Sequence, residues 1–437
     1  MSLDKFTMGI DLKKINQYLF YAVILLVRLP NFYIFPIQSS FFLSNNLLRV
    51  ITILIVVLNL YIVLKEKRKI YSYKKLLLVV GVFFISQSLS IINAQNIQAF
   101  LSAYKDMIFG LLLYMSGCFI LDSKNIKRYT LFLQRTILFA LVVQVAVLII
   151  PIFQNFYSSI LNEAYLSFFD YQLSRGRYFG GTLEEAYIPI LLLDVYILTS
   201  SLQKKIISTV STTLAIYISY ISNWRTKFII CIFSLFCSLV LNIKRMYIYI
   251  LILIVFTFSL FLLINRSFPL DINQTSIDRL LSDSKDERQI NTSRLNYLST
   301  AYTMGRANLI TGVGLGNYYD SLTLKEKDSL KSTGYGSERF ILIDDPHNIF
   351  FSVFATSGLL GLFSLILLLG FFLKKDISVV LSPLSHSYSK AYICVFWGIF
   401  IYACFNPWVN VEYLRNFWLV RAFVDSTSIL KSTSLHI

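Results

Sequence analysis

Only three histidines occur in the 437 residues of this chain, and one of them stands in DDPHNIFFSVFATSGLLG, Asp344 to Gly361, between two carboxylates and an apolar run. A histidine at such a boundary can take or return a proton near neutral pH. Asp345-Pro346 reads as a helix start, Asp as N-cap and Pro at the first helical position, which places His347 and Asn348 in the first turn. Helical spacing puts Gly358 and Gly361 within about 40° of the histidine's face, so a neighbouring helix is expected to pack closely beneath it. A histidine at a helix end can be purely structural. The arginines around it turn the reading toward chemistry.

Arg28, Arg49, Arg175 and Arg177 in SRGRYFGGTLEEA, Arg225 and Lys227 in ISNWRTKF, and Arg294 in NTSRLNYLSTAY all fall at ends of apolar spans that face away from the basic connections. A guanidinium grips phosphate oxygens with two parallel hydrogen bonds and keeps its charge, which suits a diphosphate lipid at headgroup level. The structural reading of any one of them is snorkelling, or pairing with Glu184, Glu185, Glu412 and the loop acids. Lys105, Asp106 and Asp194 are ionisable groups inside apolar spans and are functional candidates by that position. TGVGLGNYYD, Thr311 to Asp320, has three glycines at alternate positions but no Lys-Ser/Thr behind them, so a turn is expected rather than a nucleotide cradle. No clustered acidic ligands suggest a metal, Asp344 and Asp345 being the one pair that could hold a cation, and no cofactor is expected.

The elements that must position these groups are membrane helices. Hydrophobic residues make up 56% of the chain and charged ones 15%, which excludes an ordinary soluble enzyme. Apolar runs of about 17 to 25 residues, enough to cross a hydrocarbon core, recur along it. They predict an all-α integral membrane protein with about twelve crossings, centred on residues 18–35, 47–64, 76–92, 99–120, 131–152, 183–202, 206–221, 228–241, 246–264, 347–373, 388–405 and 413–430. Lys65, Lys67, Arg68 and Lys69, then Lys124, Lys127 and Arg128, Lys204 with Lys205, Lys244 with Arg245, and Lys374 with Lys375 make every second connection basic. That pattern places those connections and both termini in the cytoplasm.

Two long connections then lie outside, 154–181 and 265–346. The second is expected to be partly helical. It holds ten Lys/Arg and eleven Asp/Glu, so the formal charge of +16 is carried by the rest of the chain. The charge is topological, and no nucleic-acid partner is needed to explain it. Cys118, Cys231, Cys237, Cys394 and Cys404 all sit in apolar spans without metal spacing and read as small buried hydrophobes. The whole of residues 1–437 reads as one polytopic membrane domain, with 265–346 as an external loop within it. The basic N-terminal segment is expected to be retained as an anchor.

HNIFFSVFATSGLLG, a His-Asn followed by glycines at fixed distance, resembles the signature of the bacterial O-antigen ligases and related polysaccharide polymerases. The twelve crossings and the large loop between the ninth and tenth resemble the layout of that superfamily, a GT-C-like arrangement. The resemblance implies a metal-independent, inverting glycosyltransferase of the inner membrane. Its donor would be an undecaprenyl-diphosphate-linked glycan, and its active site would face the periplasm. It assigns His347 as proposed base, and Arg225 and Arg294 to the diphosphate, with Thr311 to Gly316 in register behind Arg294. Asn223-Trp224 replaces the family's usual residue before the first arginine. Arg175, Arg177, Glu185, Asn348 and Lys105 complete the set of candidate substrate contacts.

The acceptor distinguishes three readings. A polymerase extends one lipid-linked glycan with another, and the Tyr- and acid-rich external loops lean slightly that way. A ligase moves the finished chain to lipid A core. A lipid-linked oligosaccharide transporter would instead place polar groups on broken helices at the bilayer midplane, and Asp194 is the residue that reading would claim.

Overall fold

The protein is described from a computed structural model, in residues 12–28, 40–65, 74–122, 125–149, 183–196, 201–221, 225–241, 285–323, 346–382, 387–406 and 411–433. Among the described residues every regular element is helical: α1 (Leu12–Arg28), α2 (Ser40–Lys65), α3 (Lys74–Leu89) with a 3-10 turn (Ser90–Asn93), α4 (Ile97–Ile120) and α5 (Ile126–Ile149). A second 3-10 turn (Glu184–Tyr187) leads into α6 (Ile188–Leu191) and α7 (Leu193–Tyr196), followed by α8 (Leu202–Ile221) and α9 (Arg225–Leu241). After α10 (Lys285–Ala307) come α11 (Ile349–Leu381), α12 (Ser387–Ala403) and α13 (Val411–Thr433). Three stretches, Ile97–Ile120, Ile126–Ala146 and Ile349–Leu381, are long and apolar enough to cross a membrane. The expected ninth crossing and the loop 154–181 lie outside the described residues.

Side-chain pairing shows which helix ends meet. Arg28, the last residue of α1, reaches Asn416 near the start of α13. Asn348, before α11, donates to the Cys404 carbonyl just past α12. Tyr114 and Asp425, late in α4 and α13, bond to each other, so those two helices run parallel. One end of the bundle therefore gathers the exits of α1 and α12 and the entrances of α4, α11 and α13, as alternate crossings require. Van der Waals fit holds such helices together, because lipid gives their apolar faces no reason to prefer one another. At the α4–α13 seam Gly110 accommodates the indole of Trp418, and Gly117 lies against the Ala422 methyl.

Several expected spans change shape. The sixth is not one helix. Pro189, which lacks an N–H and is restricted in φ, sits among the short turns of 184–196, and all these residues from Leu183 to Val195 except Asp194 are buried. The Ser208 hydroxyl of α8 bonds to the Leu191 carbonyl and so satisfies one of the backbone groups such a break releases. The tenth continues through Lys374 and Lys375 to Leu381, so these two lysines belong to a helix rather than to a connection.

α11 is also broken within. Gly358 has φ 63° and ψ −160°, a conformation essentially restricted to glycine. The chain of Leu309 to Gly314 lies along this break. Leu359 N–H donates to the Leu309 carbonyl at 2.8 Å, and Val313 N–H to Ala355 at 2.9 Å. The sequence reading expected a helix against Gly358, but the neighbour is loop backbone at Ile310 and Thr311. Gly361 does meet a helix, through Gln87 of α3. Gly358→Ala combines a disfavoured backbone with a collision at Ile310, and should make the 308–323 turn an early site of limited proteolysis. Gly370→Ala, where a methyl would meet nothing within 4 Å, should leave the cleavage pattern as in wild type.

Candidate active site at the entrance of α11

His347 is the only non-glycine residue with positive φ among the described residues, at 58°. Left-handed backbone is costly for most side chains and persists only where the surroundings impose it. The helix start expected at Asp345-Pro346 lies three residues too early. Asn348 is the N-cap, its side-chain oxygen accepting from the N–H groups of Phe350 and Phe351 at 3.0 and 3.2 Å. The helix begins at Ile349, so His347 stands ahead of it on an irregular segment. Because the Asn348 amide also donates to Cys404 at 3.0 Å, the residue ties the histidine segment to α12.

A loop helix covers this entrance. α10 packs along the first turns of α11, with Tyr297 beside the imidazole (centroids 6.4 Å apart) and Tyr302 near Phe354. Arg294 lies on α10 one turn before Tyr297, a spacing that places two residues on one helix face. Its own side chain lies outside what the structure describes. Tyr297, Ala301, Met304, Val313, Tyr318, Leu322 and Ala355 form a small core separate from the main one.

The glycine turn after α10 is the clamp of this assembly. Asn317, fully buried, accepts from the Asn96 N–H at 2.6 Å and donates to the Asn96 and Leu315 carbonyls. Asn93 donates to Thr311 and Gly312, and Leu315 N–H to the Ser90 hydroxyl. Gly312, Gly314 and Gly316 all have positive φ, and a side chain at Gly314 or Gly316 would collide with Ala94 or Ala99. The turn expected from the sequence is present, and its work is to fix α10 over α11.

A second polar group lies at the same end of the bundle. Arg28 contacts Glu184 at 3.4 Å and Asn416 at 2.9 Å, and its guanidinium stacks 4.2 Å from the Tyr187 ring centroid. Tyr187 hydroxyl donates to the same Asn416 oxygen. Glu185 is buried next to Glu184, with Lys227, also buried, and Arg28 as its nearest charges. Arg225 opens α9 two residues before Lys227 and is partly accessible, whereas Arg28 is held by Glu184, the pairing weighed against phosphate binding in the sequence. Of the acids on the broken sixth segment, Glu184 is thus paired with a neighbouring base.

Lys105 projects from the outer surface of α4, and Asp106 beside it pairs with Arg49 of α2 at 2.6 Å. Arg175, Arg177, Asp344 and Asp345 lie outside the described residues. No three His, Cys, Asp or Glu side chains come together as metal ligands among the described residues. Tyr297 and Asn317 were not picked out from the sequence, although Tyr297 follows Arg294 at helical spacing and could have been.

Residues 210–366 match the family model of the O-antigen ligases. This match, over about a third of the chain, supports a place in the O-antigen ligase and polymerase superfamily. Its bounds take in Arg225 and the assembly of α10 with Arg294, the glycine turn, His347 and the break at Gly358. Arg28, Glu184, Glu185 and Lys105 fall outside them. A comparison with curated proteins finds no match. The match supports a membrane O-antigen ligase- or polymerase-type function in surface-polysaccharide biosynthesis.

Proposed function

We propose that the protein is an inner-membrane glycosyltransferase that moves a glycan from undecaprenyl diphosphate to an acceptor sugar hydroxyl on the periplasmic side. The observation that carries this reading is the strained His347, placed at the bundle end and covered by the helix that bears Arg294. His347 accepts the proton of the attacking hydroxyl, whose oxygen bonds to the anomeric carbon from the side opposite the diphosphate. The carbon–oxygen bond to the diphosphate breaks with inversion, and its electron pair stays on the leaving oxygen. Arg225 and Arg294 hold that growing negative charge, a task given to a metal ion in many other glycosyltransferases. Arg175, Arg177, Glu185 and Asn348 serve this reaction around that centre, Asn348 by holding the histidine's segment.

Purified protein with a lipid-linked glycan donor tests the assignment. Arg225→Lys and Arg294→Lys keep the charge but lose the fork, so each should cut kcat/KM for transfer by about 10²-fold or more, as removal of a single oxyanion donor does elsewhere. Wild-type kinetics in both would remove the arginines from the mechanism. The acceptor is read in a deletion strain. Loss of long lipid-linked glycan marks a polymerase, the reading favoured by the Tyr- and acid-rich loops, and its accumulation without transfer to lipid A core marks a ligase.

A further inference from the structure

Arg49, Lys105 and Asp106 form a charged group that the proposed reaction does not use. On α4, Leu101, Lys105 and Ile108 follow helical spacing along one face, and all three are exposed. On α2, Asn46, Arg49, Val50 and Ile53 do the same, with Val50 and Ile53 exposed. The charges are thus set in an apolar outer surface, where an ionised side chain is expensive unless it meets a partner. Asp106 neutralises one base through its 2.6 Å contact with Arg49. A single positive charge is left over. Arg49 Nε is buried without a hydrogen bond, its Nη1 reaches only Asn46 at 3.5 Å, and no described carboxylate pairs with Lys105.

The depth of the group narrows its partner. The polar glycine turn lies against Ala99 and Ala103 through Gly316, so this part of α4 is at the level of polar backbone rather than of lipid tails. Lys105 lies two to six residues deeper, about 3 to 9 Å along the helix, within reach of a headgroup by extension of its side chain. We propose that the outer groove between α2 and α4 binds the phosphate of an anionic phospholipid, through Lys105 Nζ and an Nη group of Arg49. Asp106 orients the guanidinium for this, and the exposed Leu101, Ile108, Val50 and Ile53 line the acyl chains.

Native mass spectrometry of the full-length protein, released from micelles containing phosphatidylglycerol or phosphatidylcholine at equal concentration, tests this site. Wild type should retain phosphatidylglycerol preferentially, and Lys105→Leu, a change at an exposed position, should reduce that retention at least fivefold. Lys204→Leu, at an exposed position near the start of α8, should not. Arg49→Met with Asp106→Asn, which removes the ion pair as a unit, should lower it as well. Equal retention of the two lipids by wild type, or unchanged retention in Lys105→Leu, overturns the proposal. So does displacement of phosphatidylglycerol by undecaprenyl phosphate at a tenth of its concentration, which would give the groove to the polyprenyl lipid instead. None of these outcomes depends on glycan transfer.

Discussion

Replacing His347 by alanine should lower glycan transfer by about 10² to 10⁴-fold, the usual contribution of a positioned general base, while the donor still binds. Because the group acts on the hydroxyl only as its proton leaves, kcat and kcat/KM should fall together. Alanine also disfavours the 58° backbone found here, so a loss could in principle reflect a displaced segment. His347→Asn separates the two effects, since asparagine tolerates left-handed backbone but is no base. Both variants should be equally inactive, and both should melt near wild type. Transfer at the wild-type rate in either one would sink the base assignment. An inactive alanine variant beside an active asparagine variant would mean that the residue serves the backbone and not the proton.

The second large effect is expected far from that chemistry, among four charges inside the helix bundle. The guanidinium of Arg421 bonds to both oxygens of Asp376 at 2.8 and 3.0 Å and to Asp425 at 2.6 and 3.0 Å. Lys375 adds 2.7 Å to Asp425, Trp397 donates to Asp376, and Tyr114 to Asp425. Arg421 also lies 4.0 Å from the Phe372 ring centroid. Two positive and two negative groups thus join α4, α11, α12 and α13. Arg421→Met leaves two buried carboxylates facing one lysine and should destabilise the fold by about 3–5 kcal/mol. Thermal melts in detergent, followed by size-exclusion chromatography, should show loss of the monodisperse peak. Adding Asp376→Asn and Asp425→Asn should recover most of it, because the amides still accept from Trp397 and Tyr114 and the one charge left, on Lys375, is partly exposed to solvent. A single variant as stable as wild type would show that the network carries little of the fold.

What could be read in advance divides along a physical line. Helix existence was legible because a span of about twenty apolar residues has few alternatives. The α10–turn–α11 assembly was legible in parts: the histidine, the glycines and Arg294 were all singled out. Their geometry was not. Asp-Pro-His-Asn offers several residues able to cap a helix, and only the fold shows that the Asn348 oxygen, and not that of Asp345, receives the N–H groups. Gly358 fits a helical face as well as a break, because spacing carries no information about φ. The Arg421 network was half visible in the i,i+4 spacing of Arg421 and Asp425. Asp376 lies 45 residues from Arg421, and no local pattern announces a partner at that distance. Pairing of an arginine at a span end with Glu184 was among the alternatives the sequence offered, and the fold shows that Arg28 is the one.

The break at Gly358 also changes what counts as a part of this protein. Residues 349–357 continue a bundle helix in sequence and place Ile349 and Val353 in the main core, yet Ala355 sits in the small core and Ala355 and Thr356 accept backbone hydrogen bonds from the glycine turn. Mechanically they tie the covering layer to the bundle. A chimera that grafts the corresponding layer of a relative should therefore be cut after Gly358 rather than where α11 begins, and should bring the 90–96 segment along, since Asn93 and Asn96 grip the same turn. Cut at the helix start, the graft would separate the histidine from the elements that hold it.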